Sequence, residues 1–326
     1  FWLKRSCIAH LRGLRAALVG SHPSWAGSTA RMGCLCAKST DVENAQGKVG
    51  APGPTVVGKS GGGGGSAPSA EIIAKKVAQA KSTRVLALRE CNLKVLPASA
   101  VGDGVAELRT VDLSNNKLKS LPEGIGSWSG LQNLLCGQNL LTELPVSVGK
   151  LVALQKLVLS DNQIRALPAE VSQLGKLKIL QLDGNKLGPS LTSGNAFAGP
   201  LLSVLEELDL SGNALKEVPS SLGSLGQLTR LILSRNELTQ LPVVLGKLSK
   251  LEYMDAAENL LTSVPAALLE GTNLSELWLK GNPVDRLTLQ EMPGFTAFLE
   301  RRKKRIDARI DSNVVGAVDL SVCGLK

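Results

Sequence analysis

Residue types that do covalent or metal chemistry are scarce in this chain. Its only histidines, His10 and His22, fall within the first 31 residues, so the remainder offers no Ser/His/Asp set and no His/Glu metal spacing. Cys34-Leu35-Cys36 forms a C-x-C pair, but a tetrahedral zinc site needs two further ligands nearby and none is there. Gly53-Pro54-Thr55-Val56-Val57-Gly58-Lys59-Ser60 satisfies the spacing of a phosphate-binding loop. Such a loop needs a buried strand before it and a helix N-terminus after it, so that backbone N–H groups converge on the phosphates. Here polar residues precede it and five glycines follow. Asp112, Asp209 and Asp255 recur at a regular interval and are expected to face open solvent, where nothing raises a carboxylate pKa for acid–base work. The expectation is a non-enzymatic protein with no cofactor, no metal site and no bound nucleotide.

What does recur is a spacing of apolar residues. Leucine, two residues, leucine, one residue, leucine, two residues, asparagine begins at Leu108 and returns at Leu131, Leu154 and Leu177, in steps of 23 residues. One step of 28 residues leads to Leu205, and the 23-residue step then resumes at Leu228, Leu251 and Leu274. Most units add Leu-Pro or Val-Pro, as at Leu121-Pro122, Leu144-Pro145 and Val264-Pro265. Self-similarity at this period marks a solenoid, in which each unit buries its apolar face against its neighbours. The pattern resembles the leucine-rich repeat. That resemblance implies an α/β solenoid: a horseshoe of about nine units, with a parallel sheet on the concave face and helical caps at both ends.

Asn116, Asn139, Asn162, Asn185, Asn213, Asn236, Asn259 and Asn282 occupy one repeat position. Each is expected to turn inward and satisfy backbone groups left open at a strand end. A degenerate first unit carries Leu86, Leu88, Cys91, Leu93, Leu96 and Pro97, with Cys91 at the asparagine position.

Around the repeats, 83–287, the chain divides by composition. Residues 1–31 hold five basic residues and no acid. They read as untranslated sequence ahead of a start at Met32, or as an organellar transit peptide. Residues 32–70 begin Met32-Gly33-Cys34-Leu35-Cys36-Ala37 and continue into a flexible Gly/Pro/Ser linker. A start at Met32 makes Gly33 a site for myristoylation and Cys34 and Cys36 sites for palmitoylation, although Ala37 stands where the pattern wants Ser or Thr. One myristoyl chain binds only marginally, at about 10⁴ M⁻¹, so a palmitate is what would make attachment to a membrane surface lasting.

Residues 71–82 read as an N-terminal cap helix, with Ser69 as N-cap and Ile72, Ile73 and Val77 on its apolar face. Residues 288–326 read as a C-terminal cap helix and tail, with Phe295, Phe298, Leu299, Ile306 and Ile310 inward. The basic run Arg301–Arg305 is expected on the solvated outer face of that helix; a nuclear signal or a contact for acidic lipid are the other readings. The extra length of the 28-residue unit falls at 188–204 and is expected in a surface loop, either for binding or as tolerated drift.

Of 37 Lys and Arg and 28 acids, residues 1–82 hold 11 and 3, so the repeat body is nearly neutral and nothing there argues for nucleic acid. No apolar run reaches the ~18 residues that span a bilayer. Cys91 and Cys136 fall at inward repeat positions, and buried free thiols imply a reducing compartment. The expected location is therefore the cytoplasm, with peripheral attachment to the cytoplasmic face of a membrane through the acyl chains.

Between its inward leucines the sheet presents two outward columns. One reads Asp112, Leu135, Val158, Gln181, Asp209, Ile232, Asp255, Trp278; its neighbour reads Thr110, Asn133, Lys156, Ile179, Glu207, Arg230, Tyr253, Glu276. Aromatic and Arg side chains anchor interfaces. A protein partner on the concave face is therefore expected at Glu207, Asp209, Arg230, Ile232, Arg235, Tyr253, Asp255 and Trp278, with the chain itself a monomer.

The units LRTVDLSNNKLKSLPEGIG and LTRLILSRNELTQLPVVLG resemble the intracellular Ras-group class of leucine-rich repeats. The Met32-Gly33 start, the helix entering STRVLALRECNLKVLP and the ending PGFTAFLERRKKR are similar to the family of leucine-rich repeat-containing protein 57. The resemblance covers about residues 71–310. It implies adaptor-like protein binding and brings no catalytic or ligand residues to carry over.

Overall fold

The computed structural model describes residues 69–101, 104–191, 197 and 200–311. Gly33, Cys34, Cys36, the linker, Gly53–Ser60 and residues 312–326 lie outside the described residues. The described residues open with helix α1, Ala70–Thr83, capped by Ser69, whose hydroxyl accepts from the Ile72 amide at 3.4 Å. Arg84, in the left-handed region at φ 60°, ends it. Ile73, Val77 and Ala80 fall three and four residues apart, so they share the face turned to the first repeat. Ile72 stands roughly one hundred degrees around the helix; contrary to expectation it is 47% exposed, and Ala80 packs in its stead.

Nine three-residue strands follow: β1 Val85–Ala87, β2 Thr110–Asp112, β3 Asn133–Leu135, β4 Lys156–Val158, β5 Ile179–Gln181, β6 Glu207–Asp209, β7 Arg230–Ile232, β8 Tyr253–Asp255 and β9 Glu276–Trp278. They form one parallel sheet in strict sequence order, the sheet of a leucine-rich-repeat horseshoe. From β2 onward each strand buries its central residue and leaves the two flanking side chains partly exposed. The residue after the strand turns inward again, as Leu113, Cys136, Leu159, Leu210 and Ala256 do.

Three residues beyond each strand from β2 onward the backbone enters the left-handed region, at Asn115, Gln138, Asp161, Gly184, Gly212, Arg235, Glu258 and Gly281. The next residue is the ladder asparagine. Asn236 shows its function: Oδ1 accepts from the amides of Asn213 and Leu215, while Nδ2 donates to the carbonyls of Leu210 and Leu233. Buried backbone groups that a three-residue strand cannot pair are thereby satisfied.

The other side of the solenoid is built from short 3-10 turns, such as Glu123–Ser127 and Val243–Lys247. Pro122 and Pro242 open them in extended backbone, where a missing N–H has no hydrogen-bond role to lose. Neighbouring turns stack closely. A Cβ on Gly246 would lie 2.5 Å from the Ala267 carbonyl, so only glycine fits there. Trp128 is fully buried and donates its indole N–H to the Ala100 carbonyl at 3.1 Å. In the long unit Phe197 is buried, so the insertion contributes to the core as well as to the surface.

Helix α2, Ala266–Gly271, lies between β8 and β9, and after β9 come α3, Arg286–Glu291, and α4, Phe295–Asp311. Phe295 and Phe298 pack with ring centroids 5.9 Å apart and close the core. Two expectations about α4 fail. Leu299 is 37% exposed. The basic run is not wholly on the outer face: Lys303 and Lys304 are exposed, but Arg301 and Arg305 turn toward the last repeat. Residues 298, 301 and 305 are spaced three and four apart, so both arginines share the face of buried Phe298. Arg301 donates to the carbonyls of Leu274 (2.8 Å), in the segment before β9, and Leu269 (2.7 Å), in the last turn of α2.

Candidate protein-binding face

The strand registers decide which outward side chains meet. Pairing of β6 with β7, β7 with β8 and β8 with β9 sets Glu207 beside Arg230, Arg230 beside Tyr253 and Tyr253 beside Glu276. The same registers line up Asp209, Ile232, Asp255 and Trp278 in the next column. Seven of the eight residues picked out in the sequence therefore lie on two adjoining columns. Arg235 does not. It occupies the left-handed turn beyond β7, at the rim of the sheet, where its guanidinium pairs with Glu258 of the following unit at 3.2 Å.

Within the first column the Arg230 guanidinium lies 3.9 Å from the centroid of the Tyr253 ring and 3.9 Å from a Glu207 carboxylate oxygen. This cation–π contact restrains both side chains and reduces the entropy that a partner would have to freeze. The column is finished by a residue that the sequence had assigned elsewhere. Arg305 of α4 reaches Glu276 at 3.0 Å and Glu252 at 3.4 Å, and donates to the Ser275 hydroxyl at 3.0 Å. The C-terminal cap is thus part of the wall of this surface. The signal for it was present: Arg301 and Arg305 stand one helical turn apart on the side of Phe298.

The second column is apolar and acidic by turns. Asp209 accepts from the Ser211 amide at 2.9 Å and from its hydroxyl at 2.7 Å; Asp255 accepts from the Ala257 amide at 3.0 Å. These carboxylates are half-buried rather than open to solvent. Burial pushes the Asp209 carboxyl above the ordinary range, against the lowering effect of the Ser211 hydrogen bonds, and Asp183 and Glu207 push the same way. The expectation that nothing on this face raises a carboxylate pKa is therefore wrong for Asp209, because neighbouring side chains exclude water from it. Tyr253 is also raised, chiefly by burial and then by Asp255, so its hydroxyl stays protonated at neutral pH.

Cys91 and Cys136 are buried free thiols, and burial pushes Cys136 far up, with Asp112 adding to the effect. Such a thiol is inert packing material. Among the described residues no His, Cys, Asp or Glu cluster is arranged to hold a metal ion, and no helix is long and apolar enough to cross a membrane.

Comparison with known proteins agrees with this architecture. Family models described as leucine rich repeat match residues 107–128, 129–187 and 204–225. A curated relative, plant intracellular Ras-group-related LRR protein 7 of Oryza sativa subsp. japonica, is 36% identical over 74 residues, which is 23% of this chain and 28% of the relative. The chain thus matches well under a third of that protein's length. Among solved structures, an LRR protein of Leptospira interrogans superposes with a TM-score of 0.54 at 28% identity, over 70% of this chain and 67% of the other. The LRR ectodomain of the Arabidopsis thaliana membrane receptor kinase GASSHO1/SCHENGEN3, solved in complex with CASPARIAN STRIP INTEGRITY FACTOR 2, gives 0.52 at 32% identity, over 60% of this chain and 24% of that one. The LRR protein FLRT2, in an octameric complex with Latrophilin 3 and Unc5D, gives a TM-score of 0.56 at 26% identity, over 65% of this chain and 68% of the matched one.

Proposed function

The chain belongs to the leucine-rich-repeat proteins, and on that premise we propose that it is a non-enzymatic scaffold that binds a protein partner across the C-terminal half of its sheet. The observation that carries this reading is the pair of columns running from Glu207 to Trp278. Tyr253 and Trp278 stand there beside a stacked Arg230, on a face whose hydrophobic core lies wholly on its other side. Aromatic and Arg side chains held in place before binding are the usual anchors of an interface. Two similar solved structures are complexes with protein partners, which supports the same class of function.

The location we infer is intracellular, supported by the buried thiols and by the relative's description as an intracellular protein. The finer reading adds acylation at Gly33 and at Cys34 or Cys36, which would tether the solenoid to the cytoplasmic face of a membrane; these residues lie outside the described ones. Replacing Trp278 and Tyr253 together by alanine should abolish capture of the native partner and leave the melting transition in place. Capture that survives the double substitution overturns the assignment of the face. Mass spectrometry of the mature N-terminus tests the tether: an acylated Gly33 supports it, and a lipid-free end near residue 31 refutes it.

A further inference from the structure

Across β6 to β9 the second column runs acid, apolar, acid, aromatic: Asp209, Ile232, Asp255, Trp278. The other two acids of these strands already have cations, Glu207 in Arg230 and Glu276 in Arg305. Asp209 and Asp255 have none among the described residues; each is held through one oxygen by the amide two residues on. The face is therefore neutralised along one column and left with two cation-seeking groups in the other, each beside an apolar residue.

We propose that this column seats an amphipathic helix of the partner, with Lys or Arg at positions i and i+7 against Asp209 and Asp255, and apolar residues at i+3 or i+4 and i+10 or i+11 against Ile232 and Trp278. The inference rests on the reading of this sheet face as the binding surface. It follows from matching two periods. Adjacent strands stand about 4.8 Å apart, so alternate members of the column recur every ~9.6 Å. A helix rises about 5.4 Å per turn, which brings i and i+7 about 10.5 Å apart on one side. Over three strand steps the two rulers drift apart by only about 2 Å, within reach of a Lys or Arg stem. An extended segment does not fit, because its same-face side chains recur every ~6.7 Å and meet neither spacing. A helix laid on an open apolar face is a recurrent mode of peptide recognition.

The test is selection of a displayed library of helical 20-residue peptides, with all outward positions randomised, on the immobilised full chain. The best binder is then titrated by fluorescence anisotropy at two salt concentrations. The expected result is enrichment of Lys or Arg seven positions apart with apolar residues between. Asp209→Asn combined with Asp255→Asn should weaken that binder at least tenfold and flatten its salt dependence, and Trp278→Ala should also weaken it. Enriched neutral or acidic sequences that still depend on Trp278 would overturn the basic helix and leave the binding face standing. Binders indifferent to both the aspartates and the aromatic pair would overturn both readings, and a selection that enriches nothing overturns the helix.

Discussion

Replacing Asn236 by alanine should destabilise the solenoid more than the same change at Asn259, although both belong to one ladder and both are buried. The structure supplies the arithmetic. The Leu210 carbonyl also receives Asn213 Nδ2 and the Leu233 carbonyl also receives Asn259 Nδ2, so neither acceptor is orphaned when Asn236 is cut back. The amides of Asn213 and Leu215 have only Asn236 Oδ1, at 2.9 and 3.1 Å. At Asn259 the side-chain oxygen takes a single amide, that of Leu238 at 3.0 Å, and its acceptors Leu233 and Ala256 keep Asn236 and Asn282. An orphaned buried amide costs about 1–3 kcal/mol, which gives roughly 2–6 kcal/mol for Asn236→Ala and about 1–3 kcal/mol for Asn259→Ala. Guanidinium unfolding of the full chain followed by circular dichroism measures both, through midpoints at unchanged m-value. An Asn259 variant that loses as much as the Asn236 variant, or an Asn236 loss below about 1 kcal/mol, would refute the counting of amides.

Two further predictions concern stability. Arg301→Ala should cost about 1–3 kcal/mol, because two charge-assisted hydrogen bonds to the Leu269 and Leu274 carbonyls are lost from a partly exposed site. Arg301→Lys should recover less than half in the same unfolding assay, since one ammonium does not reproduce the fork of a guanidinium. Asp209 has a folded-state pKa raised by burial, so its favourable contribution is full below the ordinary value of 3.8 and is lost as pH rises through the raised one. Asp209→Asn should therefore raise the unfolding midpoint at pH 7 and leave it nearly unchanged near pH 3; a lower midpoint at pH 7 would mean that the Ser211 hydrogen bonds outweigh burial.

That sign has a functional side. A carboxylate kept at the centre of an outward column against a stability cost is what a surface shaped for a partner would contain. The surface around Arg230 and Tyr253 is rigid for a different reason. The strands that carry them, β7 and β8, are each paired on both sides, and the ladder asparagines fix the turns that follow, so the spacing of outward side chains is set by backbone pairing.

How far the site was legible can be judged residue by residue. The outward columns could be read directly, because a strict 23-residue step transfers the register of one strand to the next without reference to anything distant. The inserted unit preserved the register, so β5 and β6 still pair Ile179 with Glu207. What could not be read was where each residue that breaks the period goes. Arg235 and Tyr253 were grouped by type and proximity in sequence, yet the turn carries Arg235 to the rim and leaves Tyr253 on the sheet. Phe197 gave no signal because its neighbours belong to no periodic pattern.

The sequence by itself determined the solenoid, the nine-strand order, the inward asparagine ladder and the composition of both columns. All of these follow from local repetition, in which each unit contacts only its neighbours. Only the tertiary structure decided the ends and the electrostatics. Arg305, on the helix that closes the last unit, stands 29 residues from Glu276 and 53 from Glu252 in sequence, and whether it meets those acids or water depends on which side of that helix Phe298 buries. The shift of Asp209 likewise depends on how much water its packed neighbours exclude, a property of the assembled sheet that no single repeat encodes.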